Sequence, residues 1–233
     1  MPLPINITSS YDIVLPVTKQ KIEYRPFVVK EEKALLLAAE SKDEKQIMKT
    51  IKQIMTNCTF DKVDISKLPV TDLEYLFINV RARSVGETAN PNTTCESCGK
   101  TVGISVDLTA VGIDCKPPEK QIQLTQTVGV IMNYPNYDTI KELETVESET
   151  EKSFKVVIEC IEKIYDEKAI YETKDFTKEE VREFVESLTQ SSFKKLASFF
   201  ENLPKLRHEA NYTCPSCNHQ GKVLLTGIQD FFT

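Results

Sequence analysis

Polar and apolar positions change period several times along this chain. Two short runs alternate near the N-terminus. Tyr11, Asp12, Ile13, Val14, Leu15 and Pro16 form one, and Lys21, Ile22, Glu23, Tyr24, Arg25, Pro26 and Phe27 form the other. Alternate residues of a strand share a face, so Ile13 groups with Leu15, and Ile22 with Tyr24. The polar stretch 17–20 predicts the turn of a β-hairpin between them. Pro16 and Pro26 lie near strand ends, where a missing amide donor does least harm.

The period then lengthens. Glu31 and Glu32 open a helical stretch at 30–41 that continues through Leu35, Leu36, Leu37, Ala38 and Ala39. Three adjacent leucines predict burial on more than one side. Ile47, Ile51, Ile54 and Met55 form one stripe of a second helix over 43–57, and Cys58 directly after it reads as a buried thiol. Thr71 or Asp72 can cap a third helix over 73–83, with Leu73, Leu76, Phe77 and Val80 inward. Asn90, Pro91 and Asn92 predict a loop.

Alternation returns at Val102, Ile104, Val106 and Leu108, which interleave with Thr101, Gly103, Ser105 and Asp107. Residues 121–132 alternate again, with a slip near Gly129. The longest helical candidate is 138–169, where Phe154, Val157, Ile158, Ile161 and Ile164 recur at helical spacing. Thr177 and Glu180 match a capping box opening a short helix. Residues 191–202 predict another, with Phe193, Leu196, Phe199 and Phe200 along it. Residues 212–225 hold the second cysteine pair plus a strand, and 227–233 is a short aromatic tail.

Two C-x-x-C pairs, Cys95 with Cys98 and Cys214 with Cys217, carry the strongest chemical signal. Four thiolates suit a tetrahedral structural zinc. Each pair must wrap a tight turn, and Gly99 and Asn218, which directly follow the pairs, tolerate the left-handed backbone this needs. A strand-forming segment follows each pair, as in the two facing knuckles of a zinc ribbon. Lys100 and Lys222 can partly offset the charge of a metal tetrathiolate. Idle thiols or transient disulfides are the bland reading. A thioredoxin-like redox pair would open a helix, whereas strands follow both pairs here. His219 is not needed as a further ligand and reads as exposed.

The pattern therefore predicts an α+β fold: an N-terminal β-hairpin plus helices, and a split four-cysteine zinc ribbon with an inserted helical module. The parts are an N-terminal α+β module at 1–90, the first ribbon half with its strands at 91–134, a helical module at 135–208, and the second ribbon half at 209–233. One structural Zn2+ per chain would be held by Cys95, Cys98, Cys214 and Cys217.

Composition narrows the function. The chain has 233 residues, 40% of them hydrophobic and 27% charged, as in ordinary globular proteins. A net charge of −6 argues against a phosphate-backbone partner. There is no apolar run long enough for a membrane span and no signal-like start, so a reducing cytosol is expected. Seven cysteines then fit free thiols plus a metal site better than a disulfide framework. No catalytic residues stand out. Only two histidines occur, His208 and His219, and no phosphate-binding glycine loop. The acidic stretch 142–151 reads as a solvated face, and Tyr134, Pro135, Asn136 and Tyr137 as a surface turn. Lys194, Lys195, Lys205, Arg207 and His208 make a modest basic stretch that reads as the flank of an amphipathic helix.

Two stretches resemble a known family. They are Ile22-Glu23-Tyr24-Arg25-Pro26-Phe27 running on through Leu35-Leu36-Leu37-Ala38, and Asp72-Leu73-Glu74-Tyr75-Leu76-Phe77 followed by Val80-Arg81-Ala82-Arg83-Ser84-Val85-Gly86-Glu87. Both are similar to segments of the baseplate hub subunits and hub assembly proteins of T-even-type contractile-tailed bacteriophages. The resemblance is strongest over 10–100, extends more loosely to the C-terminal ribbon, and does not match 135–205 residue by residue. It implies a non-enzymatic structural or assembly protein of the tail baseplate hub. The implied partners are hub, spike or tape-measure components, met in the host cytoplasm during assembly or in the virion baseplate, with no small-molecule substrate. The rival reading is a zinc-ribbon nucleic-acid-binding protein.

Overall fold

The computed structural model describes residues 8–41, 43–143, 145–228 and 230. Strand β1 (Tyr11–Val14) pairs antiparallel with β2 (Lys21–Tyr24), Tyr11 opposite Tyr24 and Val14 opposite Lys21. Helices α1 (Val29–Ser41), α2 (Glu44–Cys58) and α3 (Val70–Ser84) follow. Leu15, Ile22, Met55, Leu73 and Leu76 close a first core, with Cys58 fully buried among them. Arg25 reaches Glu31 with both terminal nitrogens, at 2.9 and 2.8 Å.

Two local expectations change. Asp72 does not cap α3, which begins at Val70 after Pro69 without a side-chain cap. From the first turn, its fully buried carboxylate accepts the amides of Val17 and Thr18 at 2.7 and 2.9 Å and the Thr18 hydroxyl at 2.7 Å. Asp72 thus ties down the turn of the N-terminal hairpin. On α1, Leu36 and Leu37 are 60% and 57% exposed. The helix has one packed face, and its period gives that face to Glu31, Ala34, Leu35 and Ala38.

Five short strands come next: β3 (Thr88–Ala89), β4 (Asn92–Thr94), β5 (Thr101–Gly103), β6 (Val106–Asp107) and β7 (Gly112–Ile113). β3 pairs with β6, and β4 with β5. Val102, Ile104, Val106 and Leu108 are buried as their alternation predicts.

Strands and helices mix in the next segment, and part of the stretch expected to be helical is strand. β8 (Gln121–Gln123) and β9 (Gly129–Met132) form a hairpin, so the slip before Gly129 is its turn. The 138–169 stretch divides into α4 (Tyr137–Leu143), α5 (Glu149–Cys160) and β10 (Ile161–Tyr165). Ile161 and Ile164 are β-branched and serve either period. Sheet partners decide the outcome: β10 lies between β9 and β11 (Ile170–Glu172), all antiparallel, in the order β11-β10-β9-β8. Asp166 fixes the β10–β11 turn by accepting the Lys168 and Ala169 amides at 2.8 and 2.9 Å. α6 (Lys178–Glu186) opens with the expected Thr177–Glu180 capping box, and α7 (Gln190–Glu201) follows. Val130, Met132, Val157, Leu196 and Phe199 centre this core. Tyr134 belongs to it as well: the ring stacks on Phe199 at 5.7 Å, and the hydroxyl donates to the Pro118 carbonyl.

The chain returns as β12 (Leu206–Thr213) and β13 (Gln220–Thr226), an antiparallel hairpin whose first strand also pairs with β7. Two units result: 1–114 together with 205–233, and 115–204. Ile228 reaches the first core. Most of the aromatic tail lies outside the described residues.

Candidate metal centre

Each cysteine pair occupies the loop of a hairpin. Thr94 pairs with Thr101 and brackets the first loop, and Thr213 pairs with Gln220 and brackets the second. The two loops repeat one hydrogen-bond pattern. The Cys95 amide donates to the Lys100 carbonyl at 2.9 Å, and the Gly99 amide to the Cys95 carbonyl at 2.9 Å. The Cys214 amide donates to the His219 carbonyl at 2.8 Å, and the Asn218 amide to the Cys214 carbonyl at 2.9 Å. Both loops turn through a left-handed residue, Gly99 at φ 71° and Asn218 at φ 55°. Those are the two positions where the sequence supplies glycine and asparagine.

The knuckles face each other across the chain. All four sulfurs lie within 4.8 Å of one another. Cys95 Sγ is 3.7 Å from Cys217 Sγ, and Cys98 Sγ is 3.6 Å from Cys214 Sγ. A disulfide would need about 2.05 Å. Four sulfurs at about 2.3 Å from a tetrahedral zinc stand about 3.8 Å apart, so the two measured edges fit such an ion. Cys95 and Cys214 are buried, whereas Cys98 and Cys217 face outward.

Backbone amides point at the sulfurs. At Cys214, the Ser216 amide is the largest influence, with help from the Cys217 amide and against burial, and the thiol falls to about 6. At Cys95, burial is outweighed by the amides of Cys98 and Ser97, and the thiol is again lowered. At Cys98, the Lys100 amide pulls down, but burial and the three neighbouring thiols together push the group up to about 11. Like charges this close disfavour full ionisation of all four sulfurs, and a divalent ion bound between them would offset that charge.

The surroundings revise two expectations. Lys222 spends its charge on Glu209, with which it pairs at 2.6 Å. His219 is half-buried, its ring 6.4 Å from that of Tyr212. One contact was not legible in the sequence. Tyr212, on β12, accepts the Glu96 amide at 3.4 Å and so joins the second hairpin to the first knuckle. Its partner across the hairpin is Gly221, which leaves room for the ring.

Of the remaining thiols, burial pushes Cys58 and Cys160 up to about 12, whereas Cys115 is exposed. In the basic stretch, Lys195 donates to the carbonyls of Gln123 and Leu124, and Phe199 is buried. Phe199 is therefore part of the packing of its unit, and the exposed Lys195 ties α7 to the end of β8. Among the described residues, no other group of three or more His, Cys, Asp or Glu side chains brings ligand atoms together. No helix among them is long and apolar enough to cross a membrane.

The family model described as T4 bacteriophage base plate protein matches residues 8–233. A curated relative, the baseplate hub assembly protein gp26 of Enterobacteria phage T4, is 22% identical over 222 residues, covering 95% of this chain and 97% of its own length. No solved structure matches.

Proposed function

Because the chain belongs to the T4 bacteriophage base plate protein family, we propose that its baseplate role is that of a structural or assembly component of the hub, acting by protein–protein binding and held together by one structural zinc. The observation that carries this reading is the length of the match, which spans both units and both cysteine pairs. A relative of nearly the same extent is a hub assembly protein. The metal chemistry agrees. Four thiolates fill a tetrahedral zinc and leave no open position for water or substrate, which is the pattern of structural rather than catalytic zinc. Cys95, Cys98, Cys214 and Cys217 would hold the ion, which would fix the geometry of two hairpins more than a hundred residues apart in sequence. The partners are hub, spike or tape-measure components of the tail. Contact begins in the host cytoplasm during assembly, and the chain either stays in the virion baseplate or leaves once the hub is built.

The test is a phage carrying a nonsense mutation in this gene. The expected result is failure to complete baseplates, rescued by the parent chain supplied in trans. Normal tails from the mutant would overturn the reading. Mass spectrometry of purified wild-type tails separates a permanent component from an assembly factor that leaves.

A further inference from the structure

The excess negative charge of this chain is confined to one unit. Residues 115–204 contain 18 Asp and Glu against 12 Lys and Arg, while the other unit carries 17 of each. The whole net charge of −6 therefore lies in the inserted unit, whose field attracts a cationic partner.

On that unit a groove of about 400 Å³ opens beside β11. Ile164, Val181, Phe184, Tyr171 and Phe176 line it, the last two edge to face at 6.2 Å. Phe176 is 43% exposed, and Ile170, on the same strand as Tyr171, is 66% exposed. Single exposed apolar residues are ordinary, but three within seven positions beside an apolar groove mark an interaction surface. β11 is also the edge of its sheet among the described residues, so one side of its backbone lacks a strand partner.

Two carboxylates line the same groove, and both are fixed in place. Asp166 holds the turn amides described above and takes the Tyr171 hydroxyl at 3.3 Å. Glu180 accepts the Thr177 amide and hydroxyl at 2.8 and 3.0 Å. The Lys168 and Ala169 amides hold Asp166 below the usual carboxylate range, and the Thr177 amide does the same for Glu180. Both groups are thus charged and oriented before any partner arrives. Lys168, on the turn, is the basic group beside Asp166.

We propose that this groove is the docking site for a segment of a partner polypeptide that carries a large apolar or aromatic side chain flanked by Lys or Arg. The apolar anchor fills the groove between Phe176 and Phe184, and the flanking cations meet Asp166 and Glu180. An extended segment would also find the free edge of β11. The inference goes beyond the hub assignment and does not depend on it.

The test uses the zinc-loaded full chain panned against a display library of short random peptides. The enriched peptides are expected to share an apolar or aromatic residue bracketed by Lys or Arg. Fluorescence anisotropy of one such peptide should show affinity that falls with salt and weakens about tenfold in Phe176→Ser and in the double variant Asp166→Asn, Glu180→Gln. The two amide substitutions keep the turn and capping acceptors while removing the charge, so loss of binding in that variant reads charge rather than unfolding. Enrichment without the pattern, or binding indifferent to both variants, overturns the proposal. So does a concentration-dependent dimer in sedimentation equilibrium that Phe176→Ser abolishes, because a second copy would then be the occupant.

Discussion

Gly221 lies directly opposite Tyr212 across the β12–β13 hairpin, and a methyl group on its α-carbon would stand 2.6 Å from the tyrosine ring. The glycine therefore lets the ring approach the strand closely, and the ring in turn carries its hydroxyl to Glu96 between the first two cysteines. Gly221→Ala is expected to displace Tyr212 and to cost about 1–3 kcal/mol. Tyr212→Phe keeps the ring, loses one long hydrogen bond, and should cost about 1 kcal/mol or less. Urea unfolding of the two variants checks both values, and an unaffected Gly221→Ala would show that the close approach carries no stability.

The cysteine cluster predicts its own metal content. Purified protein should hold one zinc per chain, and cobalt substitution should give the intense visible bands of a tetrahedral tetrathiolate. Bound structural zinc contributes on the order of 10 kcal/mol to folding. Cys95→Ser or Cys217→Ser should accordingly lower the unfolding temperature sharply, with assembly function lost as a consequence. A variant as stable as the parent that nevertheless fails in assembly would make the knuckles a contact surface instead of a staple.

Thiol reactivity separates the seven cysteines. Only the thiolate reacts fast, and burial holds Cys58 and Cys160 up at about 12. Maleimide labelling of the zinc-loaded protein should therefore modify Cys115, the exposed thiol outside the cluster. Chelation of the metal should add the four knuckle cysteines, and Cys58 and Cys160 should wait for unfolding. Peptide mapping reads the order directly. Early labelling of Cys58 would mean that the first core opens on its own.

Glu74 should give the protein a pH-dependent component of stability. Burial pushes its carboxyl from 4.5 up to about 7, against the opposing influence of the Ile228 amide it accepts. Between those values the folded chain keeps a proton that the unfolded chain has released. Stability from this group is full below about pH 4.5, falls as pH rises from there to about 7, and then levels off, a change on the order of 3 kcal/mol. Glu74→Gln retains an acceptor for Ile228 but no titration. It should match the parent in acid and exceed its stability at mildly alkaline pH. Parallel unfolding curves of the pair at every pH would refute the assignment.

Local signals carried much of this fold into the sequence. The N-terminal hairpin, the helices around 30–57 and 73–83, and the Thr177 capping box rest on contacts within a few residues, and alternation or helical period states such contacts directly. The same holds for the buried set Val102, Ile104, Val106 and Leu108. Where a segment serves two periods, the sequence was ambiguous. Ile161 and Ile164 suit a helix as well as a strand, and only the partners β9 and β11 select the strand. Leu36 and Leu37 read as core because composition does not say how many faces of a helix find a neighbour.

For the cysteines, the sequence by itself determined which residues could form the cluster and supplied the two left-handed turn positions, Gly99 and Asn218. Only the tertiary structure decided that sulfurs 116 and 122 positions apart come within 3.6 and 3.7 Å of each other. It also decided that Asp72 serves a distant turn rather than its own helix, and that Gly221 makes room for Tyr212. Those relations depend on the distance between elements far apart in the chain, which spacing within any one of them cannot specify.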